Sequence, residues 1–235
     1  MAGSTRAVLR TNIRNQKGES GSTWTTDAEI DQWIQDGHDD LAKYTKYYKQ
    51  SAEADTVADQ AAYSLADLKL VQIERVRIGL SATATVYTDI SEMDGGWQAY
   101  LDAINNYDGY AAITNTGTPN CWAWDGMDYL YLNPAPDYAT TGGGSYTYGI
   151  KIYYAGMELM DDDADTTHVP RFAEKAIVYY GLAQWHEKDS SPLQGYYLQQ
   201  YEKAKTELFV WVKGGGRTVG PKRISTDEER PTLRL

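Results

Sequence analysis

Two amphipathic stripes bracket a strand-like middle, and that order limits what the chain can become. Ile30, Ile34, Gly37, Leu41, Tyr44 and Tyr48 step by four and three, as do Tyr197, Tyr201, Ala204, Leu208 and Trp211. Such spacing lines one side of a helix with apolar groups. Between the stripes the pattern alternates with a period of two and is broken by Gly, Pro and Asp-Gly. The expected class is α+β: an amphipathic helical bundle from N- and C-terminal segments, an inserted antiparallel β module and a flexible C-terminal arm. The corresponding division is 1–62 and 156–212 for the helices, 63–155 for the Tyr-rich insertion and 213–235 for the basic arm.

Local signals place the elements. Thr5 to Gln16 predicts a short helix carrying Val8, Leu9 and Ile13, and Lys17 to Thr23 predicts a loop. Thr26 is a natural N-cap, with Asp27 and Glu29 in the first turn and Glu29 completing a capping box. The helix it opens is expected to reach about Tyr48, and Gln50 to Asp59 to be a polar loop with a frayed turn. Leu70 to Leu80 predicts a long strand with a register switch, Thr83 to Ile90 a second strand, and Trp97 to Tyr107 a short helix. Gly109 to Thr118 reads as turns. Asp125-Gly126 predicts a type I′ hairpin joining Cys121–Trp124 to Met127–Leu132, which Asn133-Pro134-Ala135-Pro136 stops. Thr141 to Gly144 reads as a loop and Ser145 to Tyr154 as a further strand. Pro170 fits the first turn of a helix whose inner stripe is Phe172, Ala176, Tyr179 and Ala183. Ser190-Ser191-Pro192 breaks that helix, and a last one spans Leu193 to Val212 before Gly214-Gly215-Gly216.

Charge is unevenly placed. The net is −11, yet residues 213–235 carry six basic and three acidic groups, which leaves the rest at −14. A body this acidic repels phosphate and argues against sequence-specific DNA binding by the folded part. A lone cysteine, Cys121, excludes an internal disulfide framework and a cysteine-built metal site. Met1 to Arg10 lacks a signal-peptide core, and no apolar run approaches a bilayer span, so synthesis in the cytoplasm without membrane association is expected. Tyr and Trp number 20 and 7 against 2 Phe, a usage suited to half-buried strand faces and subunit contacts.

Candidate chemistry is thin. Asp161, Asp162, Asp163 and Asp165 with His168 could attract a divalent cation through oxygen, but the EF-hand spacing is absent and a solvated acidic loop explains them equally. The glycine runs at 142–144 and 214–216 lack a following Gly-Lys-Ser/Thr. His38, His168 and His186 fall on different segments, and His186 follows the stripe of its helix as a core or interface residue would. No nucleophile elbow or His-Glu-x-x-His occurs, and nothing singles out a glycosidase pair of carboxylates. Trp122 and Trp124, on one strand face beside Tyr129 and Tyr131, suit either a sugar-stacking platform or packing onto the helices. The expectation is no enzyme, cofactor or metal. A carbohydrate- or receptor-binding β module, or a cell-wall hydrolase, stands as the alternative.

The order of motifs resembles the head-to-tail adaptor (connector) proteins of tailed bacteriophages. The resemblance rests on Trp24-Thr25-Thr26-Asp27-Ala28-Glu29-Ile30, Gln60-Ala61-Ala62-Tyr63-Ser64-Leu65 and Leu130-Tyr131-Leu132-Asn133-Pro134-Ala135-Pro136. It continues through Ile152-Tyr153-Tyr154 and the acidic loop to Val169-Pro170-Arg171-Phe172 and Ala176-Ile177-Val178-Tyr179-Tyr180, covering about residues 24–212. Ala66 stands where the family often has Pro, and the basic tail lies outside the match. The resemblance implies a dodecameric ring at the virion head-to-tail junction. Its partners would be the portal, a nozzle or tail-tube protein and further copies of itself, with DNA passing through the lumen without sequence-specific binding. Charge and the apolar anchors make Arg217, Lys222, Arg223, Ile224, Arg230, Leu233, Arg234 and Leu235 the expected portal-binding residues of the arm.

Overall fold

Helix caps written into the sequence set the N-terminal elements. In a computed structural model, which describes residues 3–19, 24–79, 86–105, 116–140 and 149–215, Thr5 caps α1 (Arg6–Lys17). Thr26 caps α2 (Asp27–Thr45), its hydroxyl accepting from the Glu29 N–H while the Glu29 carboxylate accepts from the Thr26 N–H. α2 stops three residues before the expected Tyr48. Lys46 turns left-handed at φ 55° and sends the chain into a strand.

That strand, β1 (Lys49–Ala54), replaces the expected loop after residue 49. Its sequence, KQSAEA, has little strand preference of its own. It extends because β9 (Ile150–Gly156) offers an antiparallel partner, with Lys49 opposite Ala155 and Ala54 opposite Ile150. β9 is sandwiched between β1 and β3 (Leu70–Gly79), and the predicted register switch in β3 appears as shifts at Leu70/Gln72 and Ile73/Arg75.

The remaining elements are β2 (Ala62–Ser64), β4 (Tyr87–Glu92), α3 (Gly96–Asn105), β5 (Thr116–Gly117), β6 (Cys121–Trp124), β7 (Tyr129–Asn133) and β8 (Ala135–Pro136). Seven strands form one sheet in the order β1-β9-β3-β4-β6-β7-β2. It is largely antiparallel, except that β4 and β6 run parallel, as does the separate β5/β8 pair. The core of this sheet gathers Ile73, Val76, Ile78, Trp122, Leu130, Leu132, Ile150 and Ile152.

The β6–β7 hairpin forms, but without the expected type I′ turn. Gly126 has φ +81° whereas Asp125 is not left-handed, and a type I′ turn needs both. The Asp125 carboxylate instead accepts from the Met127 and Tyr129 N–H groups at 2.8 and 3.2 Å, which fixes a longer loop. Trp122 and Trp124 share a strand face as alternation demands, yet that face turns into the sheet core and not onto the helices.

The last two helices are α4 (Glu174–Lys188) and α5 (Gln194–Lys213). Pro170 and Phe172 lie in the turn before α4, not in its first turn, and Phe172 is 41% exposed with its ring against Trp211. The reason α4 defies a single stripe is that it is buried nearly all round, from Ala176, Ile177 and Val178 to Leu182, Ala183 and Trp185. α1, α2 and α5 all pack on it. Close approach requires two glycines: a Cβ at Gly181 would stand 2.5 Å from Ile13 Cδ1, and one at Gly37 would stand 3.2 Å from the Tyr180 ring.

Several expectations fall outside the described residues: much of the loop at 17–23, the start of the strand at 83–90, the turns at 109–115, the glycine loop at 141–144 and the arm from residue 216.

Ile34 and Leu208 are both 0% exposed, so Ile34→Asp or Leu208→Asp should each cost about 4 kcal/mol or more by burying an unpaired charge and losing packing. Val210→Asp, at a position 62% exposed on the same helix as Leu208, should stay within about 0.5 kcal/mol of the parent. Urea denaturation followed by far-ultraviolet circular dichroism distinguishes these outcomes.

Candidate assembly interface

Arg6, Arg10 and Arg14 are spaced by four and so share one face of α1; Asp27 and Asp31 share one face of α2. The two rows interlock. Arg10 donates to both Asp31 oxygens at 2.7 and 2.6 Å and to Asp163 at 2.5 Å. Arg6 donates to Asp163 at 3.1 Å and to the Met160 carbonyl, and Arg14 to Asp27 at 2.6 Å and the Thr25 carbonyl. Hydrogen bonds to Asp31 hold the Arg10 guanidinium well above its usual pKa, and Arg10 followed by Arg6 depresses that of Asp163.

The acidic loop is thus held against α1. The Arg6 N–H donates to the Asp165 carbonyl, the Thr167 N–H to the Ser4 carbonyl, and Ser4 donates through N–H and hydroxyl to the Glu174 carboxylate. Asp163, weighed above as a cation ligand, is occupied by arginines. Among the described residues no group of three or more His, Cys, Asp or Glu is placed to hold a metal ion.

A second buried node joins α2 to the segment after β9. Glu158, 4% exposed, accepts from the His168 N–H at 3.0 Å and the Tyr47 hydroxyl at 3.3 Å, with the His168 ring close by. His38 Nδ1 lies 3.4 Å from the same carboxylate, and burial, reinforced by His168, pushes the His38 pKa down to about 3. His38 is therefore neutral at physiological pH. Two histidines expected on separate segments meet here, which sequence spacing gave no means of seeing. His186 is 6% exposed and stacks on Tyr197 with ring centroids 5.1 Å apart, as a core residue.

Of the four hairpin aromatics, Trp122 is buried, Trp124 and Tyr131 are half-buried, and Tyr129 is exposed. Trp122 is 5% exposed and donates to the Ile90 carbonyl, while Trp124 donates to the Met127 carbonyl. Tyr131 instead clusters with Trp97 and Tyr100, at ring centroids of 4.6 and 5.0 Å. The exposed aromatic groups are scattered: Trp24 before α2 beneath the Lys188 ammonium, Tyr44 on α2 against Phe209, Tyr129 on β7, Phe172 before α4, and Tyr196 on α5. No described helix is long and apolar enough to cross a membrane. The eight arm residues Arg217, Lys222, Arg223, Ile224, Arg230, Leu233, Arg234 and Leu235 all lie outside the described residues.

Packed helices, exposed rings and carboxylates already engaged by arginines make surfaces for assembly more than a centre for chemistry. Comparison with known proteins decides the class: residues 4–225 match the model of the SU10 adaptor protein. The chain belongs to the SU10 adaptor protein family. Members are structural, non-enzymatic connector proteins of bacteriophage particles, placed at the head-to-tail junction of the virion. No curated protein matches the chain. Among solved structures, a chain from the neck of an empty GTA particle computed with C6 symmetry is similar at 13% identity, covering 77% of this chain and 78% of that one, with a TM-score of 0.27.

Glu29 supplies a test of the electrostatic frame. Lys188, then the Thr26 N–H, holds its carboxyl down to about 2. A depressed folded-state pKa contributes stability that is complete above the unfolded value, about 4, and is lost as pH falls toward about 2. Asp163 and Asp189 are depressed by Arg10 and Lys17 and act in the same direction. The urea midpoint of the adaptor should therefore fall across that acidic window, and Glu29→Gln should lessen the slope there while changing it little near neutral pH.

Proposed function

We propose that this adaptor forms a dodecameric ring between the portal and the tail of a phage particle and encloses a lumen for DNA. The single observation that carries this reading is the family match across residues 4–225, nearly the whole chain. Charge supports it. A body with a net of −14 repels passing phosphate, so DNA can slide with short residence on the wall. In this reading the helices form the wall, and the sheet faces a neighbouring ring or the periphery. The tail side contacts a nozzle or tail-tube protein.

The basic arm is the portal-docking element of this proposal. Its residues Arg217, Lys222, Arg223, Arg230 and Arg234 pair with acidic groups on the portal, while Ile224, Leu233 and Leu235 anchor it in apolar sites. An arm that orders on binding gives up chain entropy and needs many contacts along its length, which these alternating charged and apolar groups supply.

Negative-stain imaging of the protein alone and mixed with its portal tests the ring directly: rings should appear on the portal. Truncation after Lys213 should abolish joining, and joining by the full chain should weaken as salt rises. Joining by the truncated chain with unchanged affinity and salt dependence would remove the arm from the mechanism and leave the ring reading intact.

A further inference from the structure

The two ends of α2 carry exposed charge of opposite sign. Over 19 residues the helix spans about 28 Å, so the ends are well separated on the surface. In the first two turns, Asp27 and Asp31 meet the acidic loop, where four more carboxylates follow from Asp161 to Asp165; among the described residues only Arg6, Arg10 and Arg14 oppose these six groups. Asp161 and Asp162 are exposed and have no ion-pair partner among the described residues.

At the other end, Lys43 in the last turn of α2 and Lys46 at its cap approach the end of α5. Tyr44 lies tilted against Phe209 with ring centroids 5.1 Å apart, and the Lys213 ammonium sits 5.5 Å from the same Phe209 ring. None of Lys43, Lys46 or Lys213 has a carboxylate within ion-pair distance among the described residues; Lys46 donates only to the neutral Gln72 amide. Nearby Lys49, although paired with Glu74, has its pKa lowered by burial and then by Lys46 and Lys213, as expected where ammonium groups crowd. The ring of Tyr44, 47% exposed, adds the kind of half-buried aromatic surface that subunit contacts use.

Complementary patches at different places on one molecule can make a heterologous contact, which closes into a ring or opens into a filament; a two-fold pair of antiparallel α2 helices would match the same charges twice but stop at a dimer, so the ring reading selects the head-to-tail form. We propose that copies of this chain join head to tail through these patches, with Lys43, Lys46 and Lys213 of one copy meeting Asp161 and Asp162 of the next. The inference rests on the ring reading above and supplies its subunit contact. Lysines at helix C-termini also complement helix dipoles, but that role is indifferent to Asp161 and Asp162. Duplex DNA is the other polyanion that the lysines could meet. The acidic body disfavours it, and Asp40 lies near Lys43 of the patch, with Glu74 on the neighbouring Lys49.

The test uses concentrated full-length protein, half of it labelled with 15N, treated with a carbodiimide that joins lysine to carboxylate without a spacer. Mass spectrometry should find mixed-isotope peptides linking Lys43, Lys46 or Lys213 to Asp161 or Asp162 at about 0.05 M salt, and should lose them at about 0.5 M. The variants Lys46→Glu/Lys213→Glu and Asp161→Lys/Asp162→Lys should each lose association in sedimentation, whereas their equimolar mixture should regain it, because each reversed end then finds its complement. Absence of these cross-links at low salt, cross-links mapping to other surfaces, failure of the mixture to associate, or association that stops at a dimer in sedimentation overturns the head-to-tail contact. Binding of a fluorescent DNA duplex that disappears in Lys46→Glu/Lys213→Glu also overturns it. Rings on the portal with cross-links elsewhere would sink this contact alone, whereas absence of rings would sink the ring reading.

Discussion

Burial of α4 on every side is the constraint from which the helical half of the adaptor follows. The middle of this helix, from Ala176 to Trp185, is buried nearly all round, so α1, α2 and α5 must cover it. The coverage is close enough that Gly181 and Gly37 are needed where Ile13 and Tyr180 press in. Once α1 and α2 are both pinned to α4, their facing edges come within reach of side chains. The arginine and aspartate rows then interlock with little further ordering cost. The acidic loop follows because Arg6 and Arg10 reach past α2 to Asp163. Packing comes first, and the ion pairs lock what packing has already placed.

Much of this was legible in the sequence, and the misses share physical causes. Interactions within one turn could be read directly: the Thr26–Glu29 capping box and the interior positions Ile30, Ile34, Leu41, Tyr201, Ala204 and Leu208. Features fixed by distant partners were not legible. β1 is polar and extends only because β9 lies beside it. A stripe sought in α4 wrongly enrolled Phe172, because a helix buried on all faces has no stripe to find. At Asp125 two local preferences competed, and side-chain capture of the Met127 and Tyr129 N–H groups prevailed over the type I′ turn. Of the assembly surfaces, the four-residue spacing of Arg6, Arg10 and Arg14 was a signal that the sequence reading did not take up, because nothing local says which carboxylates it faces. The convergence of His38 and His168 on Glu158 joins residues more than a hundred positions apart and was not legible.

The electrostatic layout follows a division of labour by burial. The partly buried Arg10 and Asp31 pair through two hydrogen bonds, the charge-assisted geometry that best offsets their desolvation. Fully buried His38 avoids the cost of charge by staying neutral beside Glu158. The surplus of acid is consequently carried at the surface, where water and salt screen it and where it influences approaching molecules more than the fold.

How the sheet ends bears on where the adaptor can associate. An open sheet offers unpaired backbone groups at its edges, and a second chain can add there. Here one edge is β1, whose Lys49 and Glu53 are tied to Glu74 on β3 and Lys151 on β9. The other edge is β2, only three residues long. A charged edge and a very short one both disfavour strand addition, which is indiscriminate and would lead to open aggregates. In the ring proposed above, copies join instead in a fixed number at a fixed angle. Helices held rigidly around α4 can set such an angle through side-chain contacts, and blunted sheet edges remove the main competitor to that mode of assembly.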